Sequence, residues 1–89
     1  MTTDSPETLL QFPCEFPIKA IGFGPDFETL VVGIIRQHAP HFGEGAVASR
    51  PSKGGKYMAV TVTIQAESRA QLDAIYRALT ACPDVLVAL

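Results

Sequence analysis

The sequence has no tryptophan, only two cysteines and no surplus of basic residues. Seven Lys and Arg against nine Asp and Glu give a net charge of −2, which argues against a nucleic-acid partner, because phosphate-backbone binding normally needs a basic excess. No apolar run approaches the roughly 18–20 residues of a membrane-spanning helix. The polar, acidic first eight residues lack the positive charge that opens a secretion signal. We therefore expect a cytoplasmic protein with neither nucleic acid nor membrane as a partner.

The length of 89 residues and an apolar content of 47% are typical of one small globular domain. There is no internal repeat, low-complexity tract or long linker. We expect residues 1–8 to form a flexible N-terminal tail and residues 9–89 to form a single domain.

The second half of the chain contains the clearest pattern. Residues 57–66 alternate between apolar and mostly polar side chains, which predicts a strand with one buried face and therefore helices on one side of its sheet. Ser68 and Gln71 form a predicted capping box, in which Gln71 reaches back to the Ser68 backbone. A helix follows until shortly before Pro83, and residues 85–89 form a final short strand.

The first half has the same order of elements. A strand containing Phe16 ends at Gly22, although Pro17 weakens its beginning, because proline cannot donate to a ladder. A helix with an apolar stripe follows and ends at Pro40. Residues 46–50 are predicted as the next strand, which is only five residues long.

This order predicts an α+β fold, the ferredoxin-like βαββαβ sandwich. Two interleaved right-handed strand–helix–strand units give a four-stranded antiparallel sheet in the order 4-1-3-2. Both helices should cover one face and leave the other open.

The sequence contains no recognisable catalytic or metal-binding pattern. Cys14 lies at the start of the first predicted strand and Cys82 just before the fourth, at opposite ends of the sheet, so we expect two free thiols and no metal motif. His38 fits the negative end of the first helix better than a catalytic role shared with His41. The chain has no nucleophile elbow and no phosphate loop. We therefore expect no enzyme activity, no cofactor and no metal.

Two segments are candidate binding sites. The loop at residues 22–26 meets the first turn of a helix, whose free amides attract anions, although its glycines also suit a simple tight turn. The hairpin tip at residues 50–57 holds three cations and no acid, so it is a candidate interaction or anion-binding segment; the alternative is that its lysines only keep the tip soluble. The residues selected in this hairpin are Arg50, Lys53, Lys56 and Tyr57.

An ordered set of landmarks resembles the YbeD-like family of small bacterial proteins of unknown function. The set comprises Leu9-Leu10-Gln11-Phe12-Pro13, Phe16, Lys19, Gly22, His38-Ala39-Pro40, Ser52-Lys53-Gly54, Tyr57 and the strand Val60-Thr61-Val62-Thr63-Ile64. Departures from the family pattern are Pro17 and the additional glycine at position 55.

The resemblance implies an ACT-like fold and a regulatory role linked to lipoate metabolism. It also implies a ligand site where the loop after the first strand meets the first helix, which here selects Gly22, Gly24 and Asp26. We expect a non-enzymatic regulatory module that binds a small anionic metabolite and forms a homodimer through its open sheet face or an edge. The alternative is an adaptor that docks on a metabolic enzyme through its open face, sheet edge or basic hairpin.

Overall fold

The computed structural model describes residues 11–89, except for the side chains of Glu44 and Lys53; the tail predicted at residues 1–8 lies outside the described residues. The elements are β1 (Cys14–Gly22), α1 (Phe27–His38), β2 (Val47–Pro51), β3 (Met58–Ala66), α2 (Arg69–Thr80) and β4 (Val85–Ala88). Short 3-10 turns at Glu44–Ala46 and Lys53–Gly55 precede and follow β2. The predicted βαββαβ order is confirmed, with β2 one residue later than expected.

The four strands form one antiparallel sheet in the order β2-β3-β1-β4, which confirms the predicted arrangement. β3 and β1 are central and pair along nine residues of each strand. β2 and β4 are the two edges, with five and four residues.

The core lies between the helices and one face of the sheet. Alternate residues of β1 and β3 are buried on this face, while their neighbours point to the open face, as the period of two predicted. The helices contribute three buried residues each from a single stripe. The fully buried larger side chains are Ile18, Phe27, Val31, Ile35, Val60, Val62, Ile64, Ile75 and Leu79.

Pro17 lies within β1, where the sequence indicated a weakened start. It is paired with Thr63 of β3, yet its missing N–H causes no loss. Lys19 and Leu89 exchange two main-chain hydrogen bonds, so alternate residues of β1 direct their N–H groups toward β4. The main-chain nitrogen of Pro17 points to the same side as that of Lys19, but the pairing on this side of β1 ends with the Lys19–Leu89 pair. The missing N–H of Pro17 therefore interrupts no hydrogen bond of the ladder.

Gly22 ends β1 at a close approach between three elements. A Cβ atom here would overlap the main-chain oxygen of Asp84 and the ring of Phe27. The glycine is buried and allows β4 and α1 to pack directly against the end of β1.

Gln71 connects the two helices. Its N–H donates to Ser68 Oγ at 3.1 Å, which confirms the predicted cap of α2. Its side-chain oxygen accepts from the N–H of Glu67 at 2.7 Å rather than from Ser68 as expected. The side-chain Nε2 donates to the carbonyl of His38 at 2.9 Å, so the same amide is oriented by the end of α1.

Candidate functional site

The structure brings the two predicted binding segments together at one end of the sheet. The β1–α1 loop carries Phe23, and the hairpin between β2 and β3 carries Tyr57. Their ring centroids are 6.0 Å apart with an interplanar angle of 59°, a geometry typical of favourable aromatic pairs. Two segments that are about 30 residues apart in the sequence therefore form one surface.

The hairpin tip has a defined conformation. The N–H of Ser52 donates to the Tyr57 carbonyl at 2.7 Å, and the N–H of Tyr57 donates to Ser52 Oγ at 2.9 Å. Gly54 and Gly55 adopt φ values of +87° and +74°, which disfavour any residue with a side chain. Both glycines are thus needed to close the turn, and they place Lys56 and Tyr57 beside the β1–α1 loop.

A cleft of about 320 Å³ lies between the loop and the hairpin, and we call it the loop–hairpin cleft. It is lined by Phe23, Gly24, Pro25, Gly55, Lys56, Tyr57 and Met58. Its walls are mainly aromatic and aliphatic, and Lys56 supplies a positive charge to the lining. Gly24 has φ +114° and nothing within 4 Å of an added Cβ, so the backbone stays accessible there. The arrangement suits a ligand that is partly apolar and carries one negative charge.

The opposite side of the same loop has a different charge. A second cleft of about 240 Å³ is lined by Asp26 and Asp84 together with residues of the loop and α1. Asp26 precedes α1 without a side-chain cap hydrogen bond. The two carboxylates on this side repel an anion, whereas the lysine in the lining of the loop–hairpin cleft attracts one. An anionic ligand therefore favours the loop–hairpin cleft.

The other residues selected from the sequence lie outside the loop–hairpin cleft. Gly22 is buried and lines neither cleft. Arg50 lies on the open face of the sheet, where it lines a depression of about 170 Å³ with Lys19 and Thr61. Lys53 belongs to the hairpin turn, and its side chain is outside the described part of the chain. The proposed binding roles of these residues stay predictions.

The cysteines and histidines form no site with one another. Cys14 and Cys82 are free, as predicted, and both are half-buried. Among residues 11–89, no cluster of three or more His, Cys, Asp or Glu side chains has a geometry that holds a metal ion. Neither of the helices described is long and apolar enough to cross a membrane.

Sequence reasoning missed the exposed apolar surface of β4. The strand pairs with β1 through a register shift, in which Gly22 faces Val85 while Ile21 faces Val87. Leu86 is therefore an extra residue, and a bulge of this kind reorients the side chains around it. Leu86, Val87 and Leu89 are 50%, 43% and 62% exposed. The sequence signal for this surface was the continuous apolar run at residues 85–89, but such a run does not show where a bulge lies or which of its side chains are exposed.

Comparisons with known proteins agree with the predicted resemblance to a bacterial family. A family model described as "Protein of unknown function (DUF493)" matches residues 7–89. A UPF0250 protein of Paraburkholderia phymatum is 51% identical over 84 residues, covering 93% of this chain and 94% of the relative. A UPF0250 protein of Chromobacterium violaceum is 44% identical over 88 residues, covering 98% and 99%. The solution structure of protein HP0495 from H. pylori has a TM-score of 0.69 at 16% identity, covers 100% of this chain and 94% of that one, and supports the fold alone.

Proposed function

The chain belongs to the DUF493 family of proteins of unknown function, and we propose that it is a non-enzymatic regulatory module that binds a small organic anion. The binding site is the loop–hairpin cleft. The observation that carries this proposal is the contact between Phe23 and Tyr57, which joins two segments selected independently as candidate sites.

The lining of the cleft indicates the class of ligand. Pro25 and Met58 add apolar surface to that of the two rings, and Lys56 supplies the cation. Small-molecule sites commonly combine a mainly apolar wall with a few placed polar groups. We therefore expect a monocarboxylate with an apolar chain. Octanoate and lipoate are the first probes, because the family resemblance implies a link to lipoate metabolism.

A bound ligand would act on the rest of the molecule through the β1–α1 loop. The N–H of Phe23 donates to the carbonyl of Asp84 at 3.3 Å, directly before the exposed strand β4. Occupation of the cleft thus fixes a loop whose backbone is bonded to the chain leading into β4. A ligand that favours one arrangement of this loop shifts the affinity of β4 for a partner by its differential binding energy.

A thermal-shift titration with octanoate and lipoate tests the proposal. At a ligand concentration of 100 times Kd, binding adds about 2.7 kcal/mol to the free energy of unfolding, which raises the melting temperature by several degrees. Lys56→Glu should abolish this shift. Lys19→Glu makes the same charge change on the open sheet face and should retain the shift. Equal responses of the two variants, or no shift with any carboxylate in the set, would refute the proposal.

A second candidate function is supported by the apolar surface of β4. Exposed apolar groups on an edge strand favour a protein partner, either a metabolic enzyme or a second copy of the chain. Val87 lies on the open face, opposite Ile21. In this role the protein is an adaptor or a homodimer, and the loop–hairpin cleft has no ligand.

Light scattering and affinity capture distinguish the two candidates. Val87→Asp should reduce self-association or partner recovery, because it places a charge in the proposed contact. Lys56→Glu should leave both unchanged. The reverse pattern would show that the basic hairpin makes the contact and would exclude β4.

A further inference from the structure

A groove lies beside β2, at the edge of the sheet opposite β4, and has no role in the proposals above. It has a volume of about 550 Å³ and lies between α1 and the edge strand β2. It is lined by Glu28, Thr29, Val32, Gly33, Arg36 and Val47. We call it the β2 groove.

The edge of β2 next to this groove has free hydrogen-bonding groups. Within residues 11–89, β2 pairs with β3 alone. The N–H of Ser52 is directed toward β3, so the alternation of an antiparallel strand directs the main-chain groups of Val47 and Ser49 outward. Pro51 has no N–H to offer and ends this row. The edge therefore offers pairing groups to a short strand at positions 47 and 49.

Gly33 keeps the groove open. It lies inside α1, where glycine is less favourable than alanine, yet nothing lies within 4 Å of an added Cβ. Internal packing therefore does not require glycine at this position. The glycine instead leaves room for a molecule to approach the helix backbone from the groove.

The charges of the groove are held at its two ends. Glu28 accepts a hydrogen bond from Ser49 Oγ at 2.5 Å. Arg36 stacks over the ring of Phe42, with its Cζ 4.4 Å from the ring centroid. Glu28 makes one end of the groove negative and Arg36 makes the other end positive, and a neighbouring residue fixes the position of each. The groove therefore favours an occupant with a positive group at the Glu28 end and a negative group at the Arg36 end.

We propose that the β2 groove binds an extended peptide segment of a partner protein that pairs with β2 and carries a Lys-x-Val-x-Glu pattern. Arg36 follows Glu28 by eight positions along the helix, a rise of about 12 Å, which a strand spans in about four residues. Positions i, i+2 and i+4 of a strand share one face. In an antiparallel pairing with β2, the lysine lies toward Glu28, the valine over Gly33 and the glutamate toward Arg36.

The test is an NMR titration of the intact protein with a capped peptide, Thr-Lys-Thr-Val-Thr-Glu-Thr. The amides of Val32, Gly33, Val47 and Ser49 should shift in a saturable way. The peptide with Lys and Glu exchanged should bind about tenfold more weakly, because two exposed ion pairs become repulsive. Arg36→Glu should weaken binding of the first peptide, and the loss should be recovered when its glutamate is replaced by lysine.

Gly33→Leu provides a second test that preserves the fold. Leucine favours the helix, and open space surrounds position 33, so the variant should fold and fill the groove. It should lose peptide binding, whereas Ala70→Leu, at an exposed position of α2, should retain it. Undiminished binding to Gly33→Leu, or equal binding of both peptides, would overturn the proposal. If the amide shifts of the groove residues change with protein concentration and not with peptide concentration, the β2 edge binds a second copy of the chain, and the proposal is overturned as well.

Discussion

The ring of Phe23 packs at 6.0 Å from the ring of Tyr57, and this contact joins the β1–α1 loop to the β2–β3 hairpin. The loop alone has acidic groups on one side, and the hairpin alone is a solvated turn. Together they form a cleft with apolar walls and Lys56 in its lining. The candidate site therefore depends on a tertiary contact between two surface segments.

Replacing both rings should reveal a favourable coupling between them. The double-mutant cycle of Phe23→Ala and Tyr57→Ala should give a coupling energy of about 0.5–1.5 kcal/mol, as for other aromatic pairs. Urea denaturation of the four proteins measures it. If the losses in unfolding free energy of the two single variants add up to that of the double variant, the two rings do not stabilise each other.

Gly22→Ala and Gly33→Ala should change the free energy of unfolding in opposite directions. At Gly22 the new Cβ overlaps the Asp84 oxygen and the Phe27 ring, so we expect a loss of about 1–3 kcal/mol or more. At Gly33 the Cβ meets open space, so we expect a gain of up to about 1 kcal/mol. Chemical denaturation of both variants checks this, and a loss at Gly33 would contradict the described helix surface.

Gln71→Ala should destabilise the protein by about 1–2 kcal/mol, because it removes hydrogen bonds to Glu67 and to His38. Gln37→Ala replaces the same residue type at an exposed position of α1 and should stay within about 0.5 kcal/mol of the wild type. Thermal unfolding of the two variants measures the difference. Equal stabilities would show that the link between the helices contributes nothing.

Ionisation of Tyr76 should lower the free energy of unfolding as the pH rises in the alkaline range. Its hydroxyl donates to the carbonyl of Leu89 at 2.8 Å, and partial burial raises its pKa above the usual value of about 10. The unfolded chain therefore loses this proton first, so the stabilisation is complete below pH 10 and declines as pH rises through the folded pKa. Denaturation between pH 7 and pH 12 should show the advantage of wild type over Tyr76→Phe shrinking. A constant difference would contradict this assignment.

The fold was largely predictable because local patterns agree with the tertiary structure. The alternation of residues 58–66, the Ser68 cap and the helix stripes each indicate the element that is observed. Pro17 was ambiguous, because its tolerance depends on which side of β1 lacks a partner, and only the sheet register reveals this.

The candidate site was predictable only in parts. Sequence reasoning selected the loop and the hairpin separately, since neither segment contains information about the other. It also grouped Gly22 with Gly24, although Gly22 serves packing while Gly24 lines the cleft. The edge position of β2 follows from the predicted strand order, whereas the bulge at Leu86 arises from pairing between distant strands, which no local pattern encodes.

An NMR titration of the protein with octanoate shows whether the loop–hairpin cleft binds a carboxylate. We expect saturable shifts at the amides of Phe23, Gly24, Gly55, Lys56 and Tyr57, and their loss in Lys56→Glu. Shifts confined to β4 or the open sheet face, or unchanged binding by Lys56→Glu, would contradict it.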